Sequence, residues 1–124
     1  MMVPSRQKIV AIVDDDAGFL AAIGRLLKAR GFDVRSLPSA EAFLGSAARR
    51  DADCLVLDIQ LKGMSGLDLR IQLARSGSAM PVIFMTALEG EGIRQQALEA
   101  GCIDYLRKPF SPRVLFAAIE KAIG

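Results

Sequence analysis

The segment that decides the fold is Ile9-Val10-Ala11-Ile12-Val13-Asp14-Asp15-Asp16, in which five apolar residues run directly into three acids. A short, continuously apolar run is typical of a strand that is covered on both faces of a parallel sheet. Three later runs end in polar residues too: CLVL before Asp58, PVIFM before Thr86, and IDYLR before Lys108. Parallel strands present their carboxyl ends at one edge, where open α/β sheets bind ligands. The pattern therefore predicts that the acids, the hydroxyl and the ammonium group converge there.

Helical patterns lie between the strands, so that the chain reads as five strand–helix units. Four of the five predicted helices open at a residue that can cap them: Asp16, Ser39, Ser65 and Ser111. Their predicted apolar faces recur at helical spacing: Leu20, Ile23 and Leu27; Ala40, Phe43, Leu44 and Ala47; Leu67, Ile71 and Ala74; Leu115, Ala118, Ile119 and Ala122. The remaining helix, the fourth, is predicted over residues 91–100 and has only a weak apolar pattern.

The character of the strands also predicts their order in the sheet. The second strand, residues 32–36, and the fifth, residues 103–107, alternate between apolar and polar residues, which suits edge strands. The prediction is a flavodoxin-like (βα)5 fold, a doubly wound parallel α/β sheet in the order 2-1-3-4-5. Right-handed crossovers would put the first and fifth helices on one face and the other three on the opposite face.

Length and composition limit the classes of protein that fit. The chain has 124 residues, 52% hydrophobic and 24% charged, which predicts one folded domain over residues 1–124. A stand-alone domain and the N-terminal part of a longer protein would look alike here. No apolar run approaches the roughly 20 residues that span a bilayer, and no signal peptide is visible, so we predict a cytoplasmic location. The absence of His excludes histidine-based catalysis, and the scattered basic residues argue against nucleic-acid binding.

The converging acids have the composition of a metal site. Like charges raise one another's pKa values, and a hard divalent cation such as Mg²⁺ removes that conflict. Asp15 and Asp58 are the predicted direct ligands, Asp14 is predicted to act through water, and the backbone carbonyl of Gln60 would complete the set. The alternative for residues 14–16 is a run of helix-capping acids, and Asp16 alone fits a cap better than a ligand.

The same pocket has the groups that phosphoryl transfer to a carboxylate requires. Asp58 is the candidate nucleophile because it stands alone at a strand end. Lys108 would neutralise phosphoryl oxygens, and Thr86 would donate a hydrogen bond to one of them. Taken singly, Thr86 is also an ordinary strand residue and Lys108 an ordinary surface lysine.

At these positions the chain resembles the receiver domain of two-component response regulators, and most of all receivers of the nitrogen-fixation transcription-regulator type. The resemblance rests on four segments in order: IVDDD at 12–16, LD at 57–58 followed by GMSGL at 63–67, MTA at 85–87, and DYLRKPF at 104–110.

The resemblance implies a phosphorelay function for the chain. Asp58 would accept a phosphoryl group from a sensor histidine kinase or a phosphotransfer protein, with Mg²⁺ bound through Asp15 and Asp58. Thr86 and Tyr105 would form a conformational switch, and the Lys108–Pro109 peptide bond would be cis. Phosphorylation would then reshape the face made by the fourth helix, fifth strand and fifth helix, to control an effector or to form a homodimer. The domain would be a signalling module and not an enzyme, with no direct contact to nucleic acid or membrane.

The sequence departs from the receiver pattern at one place, and three other functions are alternatives to the predicted one. Leu61-Lys62 stands where many receivers have Met-Pro, which bears on the rigidity of the loop after Asp58. An aspartate-dependent phosphohydrolase would need an acid where Gln60 stands. A flavodoxin-like nucleotide carrier would need a Gly-rich loop after the first strand. A receiver that serves as a phosphorylation-independent scaffold would not need the complete set of acids, hydroxyl and lysine.

Overall fold

A computed structural model of the chain describes residues 6–124. The strands are β1 Ile9–Val13, β2 Asp33–Leu37, β3 Cys54–Asp58, β4 Val82–Thr86 and β5 Asp104–Arg107. The helices are α1 Ala17–Ala29, α2 Ala40–Leu44, α3 Ala48–Asp51, α4 Gly66–Arg75, α5 Glu91–Ala100 and α6 Pro112–Ile123. All strand pairs are parallel and their order is β2-β1-β3-β4-β5, which confirms the predicted flavodoxin-like α/β fold.

Two apolar layers cover the sheet, because successive side chains of a strand point to opposite faces. Alternate residues of the central strands pack with α2, α3, α4 and α5 on one face, where Phe43 and Phe84 are completely buried. The other face packs against α1 and α6, with Leu27, Leu115 and Ile119 completely buried. Each such side chain contributes about 1.5–3 kcal/mol through removal from water. The predicted division of helices between the two faces is confirmed.

The predicted second helix is wrong in one respect, because it is divided into α2 and α3. Gly45 ends α2, and the hydroxyl of Ser46 donates to the carbonyl of Phe43 at 2.8 Å, which satisfies an acceptor at the helix end. The break shifts the apolar face by one residue. Ala48 is therefore buried, whereas Ala47, which was predicted to face the core, is exposed.

The predicted face of the third helix, now α4, is wrong in part. Its buried residues are Gly66, Leu69 and Leu73. Of the predicted residues, Leu67 is half-buried against the core, whereas Ile71 and Ala74 are exposed. The first residue of α4 lies directly against the end of β3, and this contact sets the rotation of the helix. As a result Ile71 is 40% exposed.

The predicted helix caps are confirmed at all four positions. Asp16, Ser39, Ser65 and Ser111 each accept a hydrogen bond from the backbone N–H three residues later, at 3.0–3.3 Å. Helix α5 differs because Gly90 offers it no capping side chain and only Ala97 is buried. Among residues 6–124, no helix combines the length and the apolar character that crossing a membrane requires.

Candidate functional site

Three carboxylates meet at the carboxyl edge of the sheet. Asp14 follows the last residue of β1, and Asp58 is the last residue of the neighbouring strand β3. Asp14, Asp15 and Asp58 each place an oxygen within 4.8 Å of the others. Asp14 and Asp58 are buried, whereas Asp15 is exposed. The sheet therefore brings together the three acids that the strand-end pattern predicted.

Lys108 completes this cluster from the loop after β5. Its ammonium lies 2.6 Å from Oδ2 of Asp14 and 3.1 Å from Oδ2 of Asp58. The backbone N–H of Lys108 donates to the carbonyl of Thr86 at 2.8 Å, which joins this loop to the end of β4. The ring of Phe19, in the first turn of α1, lies 4.2 Å from the ammonium nitrogen and makes a cation–π contact with it.

The peptide bond after this lysine, Lys108–Pro109, is cis in the structure. Phe110, the next residue, packs edge-on against Phe19 with the two ring centroids 6.1 Å apart. The aromatic pair thus lies beside the lysine, through the contact of Phe19 with its ammonium.

Burial and charge act in opposite directions on the groups of the cluster. Burial raises the pKa of Asp58, and the negative charge of Asp14 adds to that rise. The N–H of Gln60 and the ammonium of Lys108 oppose it, since both favour the carboxylate. Burial lowers the pKa of Lys108, but its contacts with Asp14 and Asp58 outweigh burial and leave that pKa raised.

The three acids differ in how many of their carboxylate oxygens already accept hydrogen bonds. Asp14 accepts a hydrogen bond from the N–H of Asp16 at Oδ1, at 2.8 Å, while its Oδ2 binds Lys108. Asp58 is engaged in the same way, by the N–H of Gln60 at 3.0 Å and by Lys108. Asp15 accepts one hydrogen bond, a long one of 3.3 Å from the N–H of Lys62. Asp15 is therefore the acid most open to a new ligand.

The donor set fits a hard cation. Every side-chain ligand in the cluster offers oxygen, and Mg²⁺ is bound in proteins through one or two carboxylates with several waters retained. Two of the carboxylates lie in the protein interior with a single ammonium to balance them. A divalent cation at the exposed side, next to Asp15, would supply the missing positive charge.

The predicted switch residues, Thr86 and Tyr105, lie on one face of the sheet. Thr86 is completely buried at the end of β4, and its hydroxyl oxygen accepts a hydrogen bond from the N–H of Leu88 at 3.0 Å. Tyr105 on β5 pairs with Phe84, two residues before Thr86, so both side chains point to the same face. Tyr105 is half-buried between two surface hollows of about 320 and 380 Å³, both of which Arg94 also lines.

Two residues at the site had no signal in the sequence analysis. Gly66 packs so closely against β3 that a Cβ atom there would lie 2.2 Å from the carbonyl oxygen of Asp58. Glu41 in α2 accepts a hydrogen bond from the N–H of Met64 at 3.0 Å, in the loop between β3 and α4. Gly66, the second glycine of the GMSGL segment, could have been recognised as a position where another part of the backbone approaches closely. Nothing in the sequence around Glu41 distinguishes it from a solvent-exposed glutamate in a first helical turn.

Comparison with known proteins places these features in a family context. A family model described as the response regulator receiver domain matches residues 10–120. Response regulator protein TmoT of Ectopseudomonas mendocina is 36% identical over 118 residues, which are 95% of this chain and 54% of that protein. Transcriptional regulatory protein FixJ of Azorhizobium caulinodans is 34% identical over 93% of this chain and 54% of its own length. The chain thus spans about half the length of the curated relatives it matches.

Solved structures agree with the sequence relatives. The response regulator StyR, solved at low resolution, superposes with a TM-score of 0.87 and 35% identity, over 95% of this chain and 60% of that one. The crystal structure of FixJ-N gives a TM-score of 0.85 and 33% identity, over 96% of this chain and 95% of that one.

Proposed function

The chain belongs to the response regulator receiver family, and on this basis we propose that it is a Mg²⁺-dependent phosphoacceptor domain whose phosphorylated residue is Asp58. Family membership confirms the resemblance that the sequence motifs predicted, including the relationship to transcription regulators such as FixJ. The partner that we propose is a sensor histidine kinase or a phosphotransfer protein. The other site assignments are proposals of the same kind, and the geometry around Asp58 supports those of Lys108 and Asp15.

The observation that carries the proposal is the position of Asp58 itself. Its carboxylate lies at the carboxyl edge of the sheet, with Oδ1 held by the N–H of Gln60 and Oδ2 held by Lys108. A carboxylate oxygen of Asp58 would attack the phosphorus of a phosphohistidine. The phosphorus–nitrogen bond would break, the imidazole would leave with the electron pair, and an aspartyl phosphate would form. Lys108, already on this carboxylate, would neutralise charge on the phosphoryl oxygens.

The Mg²⁺ ligands that we propose are Asp15 and Asp58, together with the backbone carbonyl of Gln60, and Asp14 would act through water. Asp15 has the most room for the ion, because it is exposed and accepts a single long hydrogen bond. When bound, Mg²⁺ offsets the repulsion between the acidic pocket and an anionic phosphoryl donor.

The response to phosphorylation would pass through Thr86 and Tyr105 to the face made by α5, β5 and α6. The hydroxyl of Thr86 would exchange its bond with the N–H of Leu88 for one to a phosphoryl oxygen. Tyr105 has hollows on both sides into which its ring can move. Helix α5 has a single fully buried residue, Ala97, and lacks a side-chain cap, so we expect it to resist displacement weakly. The reshaped face would bind an effector or a second copy of the chain.

The protein that we propose is a signalling domain. It would act as one cytoplasmic receiver domain over residues 1–124, accepting and losing a phosphoryl group without turning over a substrate in the manner of an enzyme. The proposal contains no direct contact of this domain with nucleic acid or membrane. The phosphohydrolase alternative would need an acid in place of Gln60, which is exposed and contributes its backbone N–H to Asp58.

Phosphorylation with acetyl phosphate and Mg²⁺, followed by intact-mass measurement, tests this function. The wild-type protein is expected to gain one phosphoryl group, and Asp58→Asn is expected to gain none, because an amide cannot form the acyl phosphate. Asp68→Asn, an exposed aspartate outside the cluster, is the control and should behave as wild type. An adduct at wild-type yield in Asp58→Asn would remove the assignment of Asp58. Continuous consumption of acetyl phosphate at many equivalents per protein would favour the hydrolase instead.

A further inference from the structure

The loop between β3 and α4, residues 59–65, is held by three carboxylates in an alternating pattern. The N–H of Gln60 donates to Asp58 at 3.0 Å, and the N–H of Lys62 donates to Asp15 at 3.3 Å. The N–H of Met64 donates to Oε2 of Glu41 at 3.0 Å. Every second amide of this loop is therefore bound to a carboxylate.

Two of these three hydrogen bonds use oxygens that the proposed function also needs. Asp58 is the proposed phosphoacceptor and, with Asp15, a proposed Mg²⁺ ligand. A cation or a phosphoryl group at those oxygens competes with the amides of Gln60 and Lys62. The bond from Met64 to Glu41 lies outside the metal cluster, so it is the one of the three that does not compete.

Glu41 also touches the loop at its tightest point. Gly63 has a φ of +77°, and a Cβ atom built on it would lie 2.5 Å from Oε2 of Glu41 and 3.3 Å from the carboxyl carbon. The carboxylate therefore closes over the backbone of Gly63 while it accepts from the next N–H. That hydrogen bond lowers the pKa of Glu41, so the group is charged at neutral pH.

We propose that Glu41 is a positioning residue for the phosphorylation site, which holds the β3–α4 loop while Asp15 and Asp58 take up their ligands. This inference rests on the proposed function. Its effect is to keep the carbonyl of Gln60 and the carboxylate of Asp58 aligned before the cation arrives. Without Glu41, Mg²⁺ would have to order the loop on binding, and this ordering would weaken its affinity.

The test compares Glu41→Ala with Glu41→Gln, using isothermal titration with Mg²⁺ alone and the initial rate of phosphorylation by acetyl phosphate. Glu41→Ala is expected to bind Mg²⁺ about fivefold more weakly, the effect of losing one hydrogen bond of typical net strength. Glu41→Gln retains an oxygen that accepts from Met64, so it should stay within about twofold of wild type. Glu91→Ala, at the first-turn glutamate of α5, is the control and should leave Mg²⁺ affinity unchanged.

The concentration dependence separates a positioning role from general damage. The phosphorylation rate of Glu41→Ala should fall at low Mg²⁺ and return to the wild-type value when Mg²⁺ is saturating. Wild-type Mg²⁺ affinity in Glu41→Ala would overturn the inference, as would a rate that stays low at saturating Mg²⁺. If Asp58→Asn were still phosphorylated, the proposed function would fail, while the Mg²⁺ titrations would still report on Glu41.

A double-mutant cycle provides a measurement that does not depend on phosphorylation. Gly63→Ala strains the backbone in any background, but only in the presence of Glu41 does its methyl group also meet a carboxylate. Its effect on the unfolding equilibrium constant should therefore be about fivefold smaller in Glu41→Ala than in wild type, as for contacting residues generally. Equal effects in the two backgrounds would show that the Glu41 carboxylate does not restrain the loop.

Discussion

Replacing Gly66 by alanine should damage the proposed phosphorylation site although the new methyl group is small and apolar. A Cβ atom at this position would lie 2.2 Å from the carbonyl oxygen of Asp58 and 2.9 Å from its carbonyl carbon. The third nearest atom is the Cα of Ile59, also at 2.9 Å. All three atoms belong to the backbone, so no side chain can rotate away. The helix and the strand end must separate until the closest contact grows from 2.2 Å to at least 3.0 Å.

The magnitude follows from this forced displacement. Inserting a methyl group where the structure has no room typically costs about 1–3 kcal/mol of stability. Moving a reacting group by about 1 Å can lower a reaction rate by up to about a hundredfold. Since two of the three displaced atoms belong to the proposed phosphoacceptor residue, we expect the phosphorylation rate to fall at least tenfold, the lower part of that roughly hundredfold range.

Gly92 provides the matched control, because it also lies in the first turn of a helix, α5, but has no atom within 4 Å of its Cβ position. Gly92→Ala should stabilise the protein by about 0.5–1 kcal/mol, since alanine is the better helix former. Both variants would be compared with wild type by urea unfolding and by the time course of phosphorylation with acetyl phosphate, followed by intact mass.

The two measurements together decide the question. We expect Gly66→Ala to be less stable and slower to phosphorylate, whereas Gly92→Ala should be more stable and phosphorylated at the wild-type rate. If Gly66→Ala were phosphorylated as fast as Gly92→Ala while remaining folded, the close contact would not control the position of Asp58. That result would refute the reasoning.

Two further predictions concern residues outside the cluster of Asp14, Asp15 and Asp58. Burial raises the pKa of Cys54 to about 12, so this thiol should not react with Ellman's reagent at pH 8 until the protein unfolds. The variant Cys102→Ala leaves Cys54 as the one cysteine of the chain. Rapid labelling of this variant in its native state would contradict the burial of Cys54. Asp53 has a lowered pKa because Arg6 donates to it at 2.7 Å, an effect that burial opposes and the N–H of Ile9 reinforces. A lowered pKa in the folded state means that the stabilisation is present above the ordinary value of 3.8 and is lost as the pH falls through the folded value. The difference in unfolding free energy between wild type and Asp53→Asn should therefore shrink between pH 5 and pH 2, and a difference independent of pH would exclude the pair as its source.

The acids and Lys108 could be predicted from the sequence because their position depends on a simple rule of parallel sheets. The acids lie at or just after β1 and β3, which are recognisable by their continuous apolar character, and Lys108 follows the alternating strand β5; parallel strands end at the same edge. In the same way, the alternation of apolar and polar residues in β2 and β5 predicted that these two strands form the edges of the sheet. Local patterns were enough here, because neither the order of the strands nor the convergence of their ends requires knowledge of a loop.

The errors in the helices have a different origin. Leu67, Ile71 and Ala74 form an apolar stripe at helical spacing, and so do the residues at 66, 69 and 73 that the structure buries. The choice between the two stripes depends on the contact between the first residue of α4 and β3, which is a distance between backbones. The division of α2 from α3 likewise depends on how the chain passes Gly45 to reach β3.

Glu41 illustrates the limit of sequence reasoning most clearly. It lies 23 residues from Met64, in a different element, and its residue type is common in first helical turns for reasons unrelated to any site. Only the path of the β3–α4 loop brings it to the backbone of Gly63 and Met64. The strand ends determine which chemical groups meet, but the loop determines how closely the carbonyl of Gln60 and the carboxylate of Asp58 are held together. If the proposed roles hold, two receivers with the same acids and the same lysine would differ in cation affinity through residues such as Glu41 and Gly66, which take no part in the proposed chemistry themselves.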